Sequence, residues 1–103
     1  RNIEFHLGPA EDVLANKRFW LVDAKPDVIV VDPPRAGLHA SALSSVLSAR
    51  PKQIVYVSCN PQALARDLAI LTTSFPKYRV SRVATFDLFP QTAHLETLAL
   101  LER

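Results

Sequence analysis

Residues 53–61, Gln53-Ile54-Val55-Tyr56-Val57-Ser58-Cys59-Asn60-Pro61, pass from an apolar, β-branched run straight into a helix start. The run has the composition of a buried strand. Asn60 is a favoured helix N-cap, and Pro61 suits the first helical position, where the N–H it lacks has no intrahelical partner. A strand is therefore expected over 53–58 and a helix over 61–73. The same arrangement occurs upstream. The almost wholly apolar stretch from Asp27 to Val31 ends in Asp32-Pro33-Pro34-Arg35, and a helix is expected over 39–49. Short strands alternating with longer helices are the pattern of βαβ units around a parallel sheet, and the continuous apolar character of both strands predicts helices on both of their faces.

Working outward, further strands are expected near 2–7, 79–87 and 94–102, with another helix near 10–20. Residues 88–93 are too few for a parallel crossover, so the last two strands should form an antiparallel hairpin. The expected fold is α/β, a mainly parallel sheet ending in an antiparallel hairpin. No repeat, low-complexity tract or linker interrupts it. A chain of 103 residues, 49% hydrophobic and 21% charged, has the composition of one ordinary soluble globular unit. Runs such as Val28–Val31 are far too short to span a membrane. The lone Cys59 has no intrachain disulfide partner, and with no secretory signal in view a cytoplasmic setting is expected. A net charge of +2 permits a nucleic-acid partner without demanding one. The chain opens at Arg1 and runs directly into strand-like Asn2–Leu7, as expected for part of a longer protein.

Three clusters carry chemistry. Asp32-Pro33-Pro34-Arg35 makes a rigid, donor-poor turn at a strand tip, able to hold a carboxylate or a main-chain carbonyl towards a planar base. A plain strand-ending turn fits those four residues equally well. Cys59 lies just before a helix start, where positive potential favours the nucleophilic thiolate. Taken alone, a single Cys is more often a small buried apolar residue. Its place on the same sheet rim as the prolyl turn favours the reactive reading, since ligands of open α/β sheets bind at the carboxyl ends of the strands. In the third cluster, His94 and Glu96 share a strand face by the period of two. That spacing offers too few ligands for a metal, and it leaves Glu96 open between a general base and a solvated carboxylate on an edge strand.

Together, Asp32-Pro33-Pro34-Arg35-Ala36-Gly37-Leu38, Val57-Ser58-Cys59-Asn60-Pro61 and Phe89-Pro90-Gln91-Thr92-Ala93-His94-Leu95-Glu96-Thr97 closely resemble the C-terminal signature of the RNA uracil-5-methyltransferase family, in the same order. The resemblance implies methyl transfer from S-adenosylmethionine to carbon 5 of a uridine in tRNA or rRNA. It assigns Cys59 as the nucleophile that adds to carbon 6 and Glu96 as the base that removes the carbon 5 proton. It further implies that Asp32 contacts the cofactor or target, that Arg35, Pro33 and Asn60 shape the substrate side, and that Asp12, in Gly8-Pro9-Ala10-Glu11-Asp12, accepts from the cofactor's adenine amine. An acidic residue in a first helical turn accounts for Asp12 as well.

The family's glycine-rich loop and the acidic residue after its second strand are not in this sequence. Residues 1–103 are thus expected to form a partial catalytic domain, the C-terminal part of a Rossmann-like S-adenosylmethionine-dependent methyltransferase fold. Alone, the fragment is expected to bind cofactor poorly, to be inactive, and to self-associate through an exposed sheet edge. Three alternatives stay open. One is a methyltransferase acting on an exocyclic amine, which the prolyl turn alone supports. Another is a cytosine-5 enzyme, whose prolyl motif usually carries a Cys where this chain departs at Arg35. The last is a non-catalytic RNA-binding module.

Overall fold

The computed structural model of the chain describes residues 26–87 and 95–103. In chain order they form β1 (Val28–Val31), α1 (Ala40–Ala49), β2 (Gln53–Ser58), α2 (Pro61–Thr73), β3 (Arg79–Phe86) and β4 (Glu96–Glu102). The expected strand near 2–7 and helix near 10–20 lie outside the described residues. The remaining expectations agree with these bounds to within two residues.

Local chemistry accounts for the helix ends. Asn60 Oδ1 accepts from the N–H of Gln62 at 3.1 Å and caps α2, with Pro61 at its first position. His39 caps α1 without a side-chain hydrogen bond. At the other end of α1, Arg50 turns into the left-handed region at φ 51° and its N–H reaches the carbonyl of Leu47. That turn is the usual way to close a last helical turn, although glycine more often provides it.

The sheet runs in the order β1-β2-β4-β3. β1 pairs in parallel with β2, with Val31 opposite Tyr56. β4 pairs antiparallel with β2, Ser58 opposite Thr97, and antiparallel with β3, Phe86 opposite Glu96. The expected hairpin of the last two strands is present. The expectation of a mainly parallel sheet is corrected for the described strands: one ladder is parallel and two are antiparallel. The cause is that β4 returns from the hairpin and inserts beside β2, so both of its neighbours run against it.

Burial alternates along the strands. Ile29, Ile54, Tyr56, Ala99 and Leu101 point to one face and meet Leu43, Val46 and Ala49 of α1 and Leu64 and Leu71 of α2. Among the described residues both helices pack on this one face, and the helix expected near 10–20 lies outside them. The opposite face carries apolar side chains too, with Val28 46% and Val30 65% exposed.

Near the other end of the sheet, the buried Tyr78 hydroxyl donates to the carbonyl of Pro51 at 2.6 Å. Burial pushes this phenol above its ordinary range, and the charges of Arg103 and Arg50 pull it partly back. Among the described residues no helix is long and apolar enough to cross a membrane. Leu71 is fully buried where α2 meets the sheet. Leu71→Ala is expected to destabilise the folded domain by about 2 to 5 kcal/mol through lost burial and the cavity left behind. Urea unfolding of the full-length protein against wild type measures it.

Candidate active site

Because β1 and β2 are parallel, their carboxyl ends open on one rim. Asp32 and Pro33 follow β1 there, Asp32 exposed and Pro33 half-buried, and Cys59 follows β2, half-buried. β4 runs the other way, so it begins at the same rim. Its ladder with β2 ends on the pair Ser58 and Thr97; Cys59 follows Ser58 and Glu96, the first residue of β4, precedes Thr97, so both belong to this rim. Ser58 and Thr97 are buried towards the helices, and Glu96, one residue before Thr97 on β4, turns to the opposite face by the alternation of the strand.

The Cys59 backbone is bracketed. The buried hydroxyl of Ser58 donates to the carbonyl of Asn60 at 2.9 Å and accepts from the N–H of Asn60 at 3.0 Å. The two rim loops are also joined directly, because Asn60 Nδ2 donates to the carbonyl of Arg35 at 2.9 Å. Both ends of the Asn60 amide are thus used within the chain: one caps α2 and the other holds the prolyl loop.

The prolyl loop closes on itself and then onto α2. The N–H of Gly37 donates to the carbonyl of Pro34 at 2.9 Å. Gly37 has φ +85°, and a Cβ there would lie 2.6 Å from Arg66 Nη2 and 2.8 Å from Asp67 Oδ2. Glycine is required on both counts, backbone conformation and close approach. Beneath it, Asp67 is completely buried. Its Oδ2 accepts from the Tyr56 hydroxyl and from the N–H of Leu38 at 2.9 Å, and its Oδ1 accepts from Arg66 Nε at 3.2 Å and Nη2 at 3.1 Å. Arg66 Nη2 also donates to the carbonyl of Ala36 at 2.7 Å. Burial first, then the hydrogen bond to Asp67 and its negative charge, push the Tyr56 phenol far above its ordinary range. Tyr56 therefore remains a hydrogen-bond donor at any ordinary pH.

Six residues expected to act at the site are described, and Cys59, Glu96, Asp32, Pro33, Arg35 and Asn60 all lie at this rim. Asp12 and His94 lie outside the described residues. The support formed by Tyr56, Arg66 and Asp67 is not among the sequence expectations. A signal for it exists: Asp67 stands three residues after Leu64 and four before Leu71, on the buried stripe of α2. A carboxylate at a core position needs partners, and that need alone marks the residue in the helical pattern.

Cys59 and Glu96 thus lie at the carboxyl rim of an α/β sheet. Comparison with known proteins shows the family. The family described as tRNA (Uracil-5-)-methyltransferase matches residues 15–103, and the chain belongs to that family. It is 47% identical over 103 residues to an uncharacterized RNA methyltransferase of Listeria innocua, covering 99% of this chain and 21% of that protein. It is 45% identical over 102 residues to another from Porphyromonas gingivalis, covering 99% and 22%. The chain therefore spans about a fifth of the length of these relatives. Among solved structures, the crystal structure of Pyrococcus abyssi tRNA (uracil-54, C5)-methyltransferase in complex with S-adenosyl-L-homocysteine superposes with a TM-score of 0.64 at 44% identity, covering 73% of this chain and 18% of that one.

The Gly37 contacts lead to a direct expectation. Gly37→Ala should destabilise the domain by about 1 to 3 kcal/mol, from the unfavourable φ and the displaced Arg66–Asp67 pair. Thermal unfolding of the full-length protein measures it, with Ala36→Gly as the neighbouring control.

Proposed function

We propose that this chain supplies the catalytic rim of an enzyme that methylates carbon 5 of a uridine in tRNA or rRNA, with S-adenosylmethionine as methyl donor. One observation supports the reading: the β2–β4 ladder ends on Ser58 opposite Thr97, and Cys59 and Glu96 are the next residues along each strand at that rim. Carbon 5 of uracil is a poor nucleophile. Addition of the Cys59 thiolate to carbon 6 forms a C–S bond and moves the ring's electron pair into an enolate, which makes carbon 5 nucleophilic. Bound S-adenosylmethionine would supply an electrophilic methyl group on a sulfonium for that carbon, its sulfur keeping the electron pair of the broken S–CH3 bond and leaving as S-adenosylhomocysteine. Glu96 then takes the proton from carbon 5, the electron pair returns to the ring, and the C–S bond breaks to release Cys59 as thiolate.

Supporting residues follow the same logic. Asp32, exposed at the tip of β1, offers a carboxylate suited to an amine of the cofactor or target, and Pro33 offers an apolar edge for a planar group. Arg35 offers a cation to a phosphate, and Asp12 an acceptor for the adenine amine. Asp32, Pro33 and Arg35 fit one wall of a cofactor site. The family's glycine-rich loop is not within residues 1–103. Asn60 serves the substrate side through the carbonyl of Arg35, by holding the loop rather than by free hydrogen-bonding capacity.

The decisive experiment uses the full-length protein with RNA containing 5-fluorouridine, in which fluorine replaces the proton Glu96 removes. A methylated covalent adduct mapped to Cys59 by mass spectrometry is the expected result, and Cys59→Ala should form none. An enzyme that methylates ordinary RNA yet traps no adduct would instead belong to the exocyclic-amine class. With ordinary RNA, Glu96→Gln should accumulate the methylated adduct and slow product formation about a hundred- to ten-thousandfold. Residues 1–103 alone should show no tight binding of S-adenosylmethionine by isothermal titration, while the full-length protein binds it.

A further inference from the structure

Besides the bond from the Gly37 N–H to Pro34 within the loop, four hydrogen bonds hold the backbone of residues 35–38, and these four come from α2 or its cap. Asn60 Nδ2 holds the carbonyl of Arg35 at 2.9 Å, Arg66 Nη2 holds the carbonyls of Ala36 at 2.7 Å and Leu38 at 3.5 Å, and Asp67 Oδ2 holds the N–H of Leu38 at 2.9 Å. The same helix begins two residues after Cys59. It is therefore the common base of both rim loops, one presenting the nucleophile and the other Asp32 and Pro33. Stability alone does not explain the chemistry beneath the loop, because a buried ion pair is weak evidence for stability and an apolar residue often replaces one without loss. What a carboxylate at 67 adds is direction. It selects one N–H of the loop, and through Oδ1 it orients the guanidinium that grips Ala36.

We propose that Asp67, acting with Arg66, is a positioning residue for methyl transfer: it sets the separation between the Cys59 loop and the prolyl loop, and so between uracil and cofactor. This rests on the reading of the preceding subsection, in which the two loops face the two reactants. Transfer requires the reacting atoms about 3 to 3.5 Å apart, and a displacement of about 1 Å can cost a hundredfold in rate. The clamp lies directly under that distance. Tyr56 completes it from the sheet side, giving the carboxylate a donor that no ordinary pH removes.

The test uses the full-length protein and separates positioning from stability by counting sites. Three variants are compared with wild type. Asp67→Asn keeps an acceptor but removes the charge that orients Arg66. Arg66→Lys, at a half-exposed position, keeps the charge but loses the fork, so it decides the matter should Asp67→Asn fail to fold. Tyr78→Phe removes a buried hydrogen bond of comparable standing at the other end of the sheet. For each, competent sites are titrated by the 5-fluorouridine adduct, 5-methyluridine formation is measured per site, and Cys59 alkylation by iodoacetamide is followed.

Positioning predicts that both clamp variants lose roughly tenfold to a hundredfold in per-site kcat while Cys59 alkylation keeps its wild-type rate. Tyr78→Phe, remote from the rim, should keep its per-site rate within about twofold even where its melting temperature falls. Clamp variants with a wild-type per-site rate, or with losses no larger than Tyr78→Phe at matched melting temperature, overturn the proposal and leave Asp67 a structural residue. A wild-type enzyme that forms no 5-methyluridine overturns the functional reading itself, a result distinct from active wild type with unchanged clamp variants.

Discussion

The carboxylate of Asp67 has no access to water, and much of the site's geometry is a consequence of satisfying it. An isolated buried charge is costly enough that structure must supply partners. Here they come from three places: a strand through Tyr56, the helix itself through Arg66, and the prolyl loop through Leu38. Meeting that requirement draws the loop down onto α2 so closely that only glycine fits at position 37. Among the described residues no buried side-chain nitrogen or oxygen lacks a partner. Polar satisfaction and loop placement are therefore one arrangement, reached through the same few atoms.

Apolar burial provides the platform on which this acts. The alternation along β2 and β4 turns Ile54, Tyr56, Ala99 and Leu101 towards the helices, and Leu64 and Leu71 meet them from α2 on either side of Asp67. Tyr56 contributes to both systems, its ring in the core and its hydroxyl in the polar cluster. The opposite face of the sheet carries Val28, Val30 and the Glu96 side of β4.

The junction of β2 and α2 is legible in the sequence because its signals are local: an apolar run, a capping Asn and a proline at the first helical position act within a few residues. The bounds 53–58 and 61–73 follow from them and match the structure. Sheet composition is less legible. That β4 pairs with β2 as well as β3 depends on a register that joins residues as distant as Gln53 and Glu102, which no periodicity encodes. The apolar character of Val28 and Val30 indicates a strand without saying which side is covered. At the site, Cys59, Glu96 and Asp32 can be grouped from strand tips and resemblance. Asp67 escapes such a reading because a carboxylate in a helix ordinarily faces solvent, and its place on the buried stripe emerges only when α2 is read against Leu64 and Leu71 together. The Asn60 amide has a local use, the cap, that the sequence displays, and a distant one, the carbonyl of Arg35, that it does not.

The placement of β4 between β2 and β3 affects how such a chain comes into being. β3 is made before β4 yet, among the described strands, has no partner until β4 exists, and β2 gains its second neighbour at the same moment. During synthesis the sheet stays open until residues 96–102 have left the ribosome, and Glu96 arrives with the strand that closes it. A nascent chain stopped short of that strand therefore lacks both the ladder that joins β2 to β3 and the carboxylate of Glu96 at the rim.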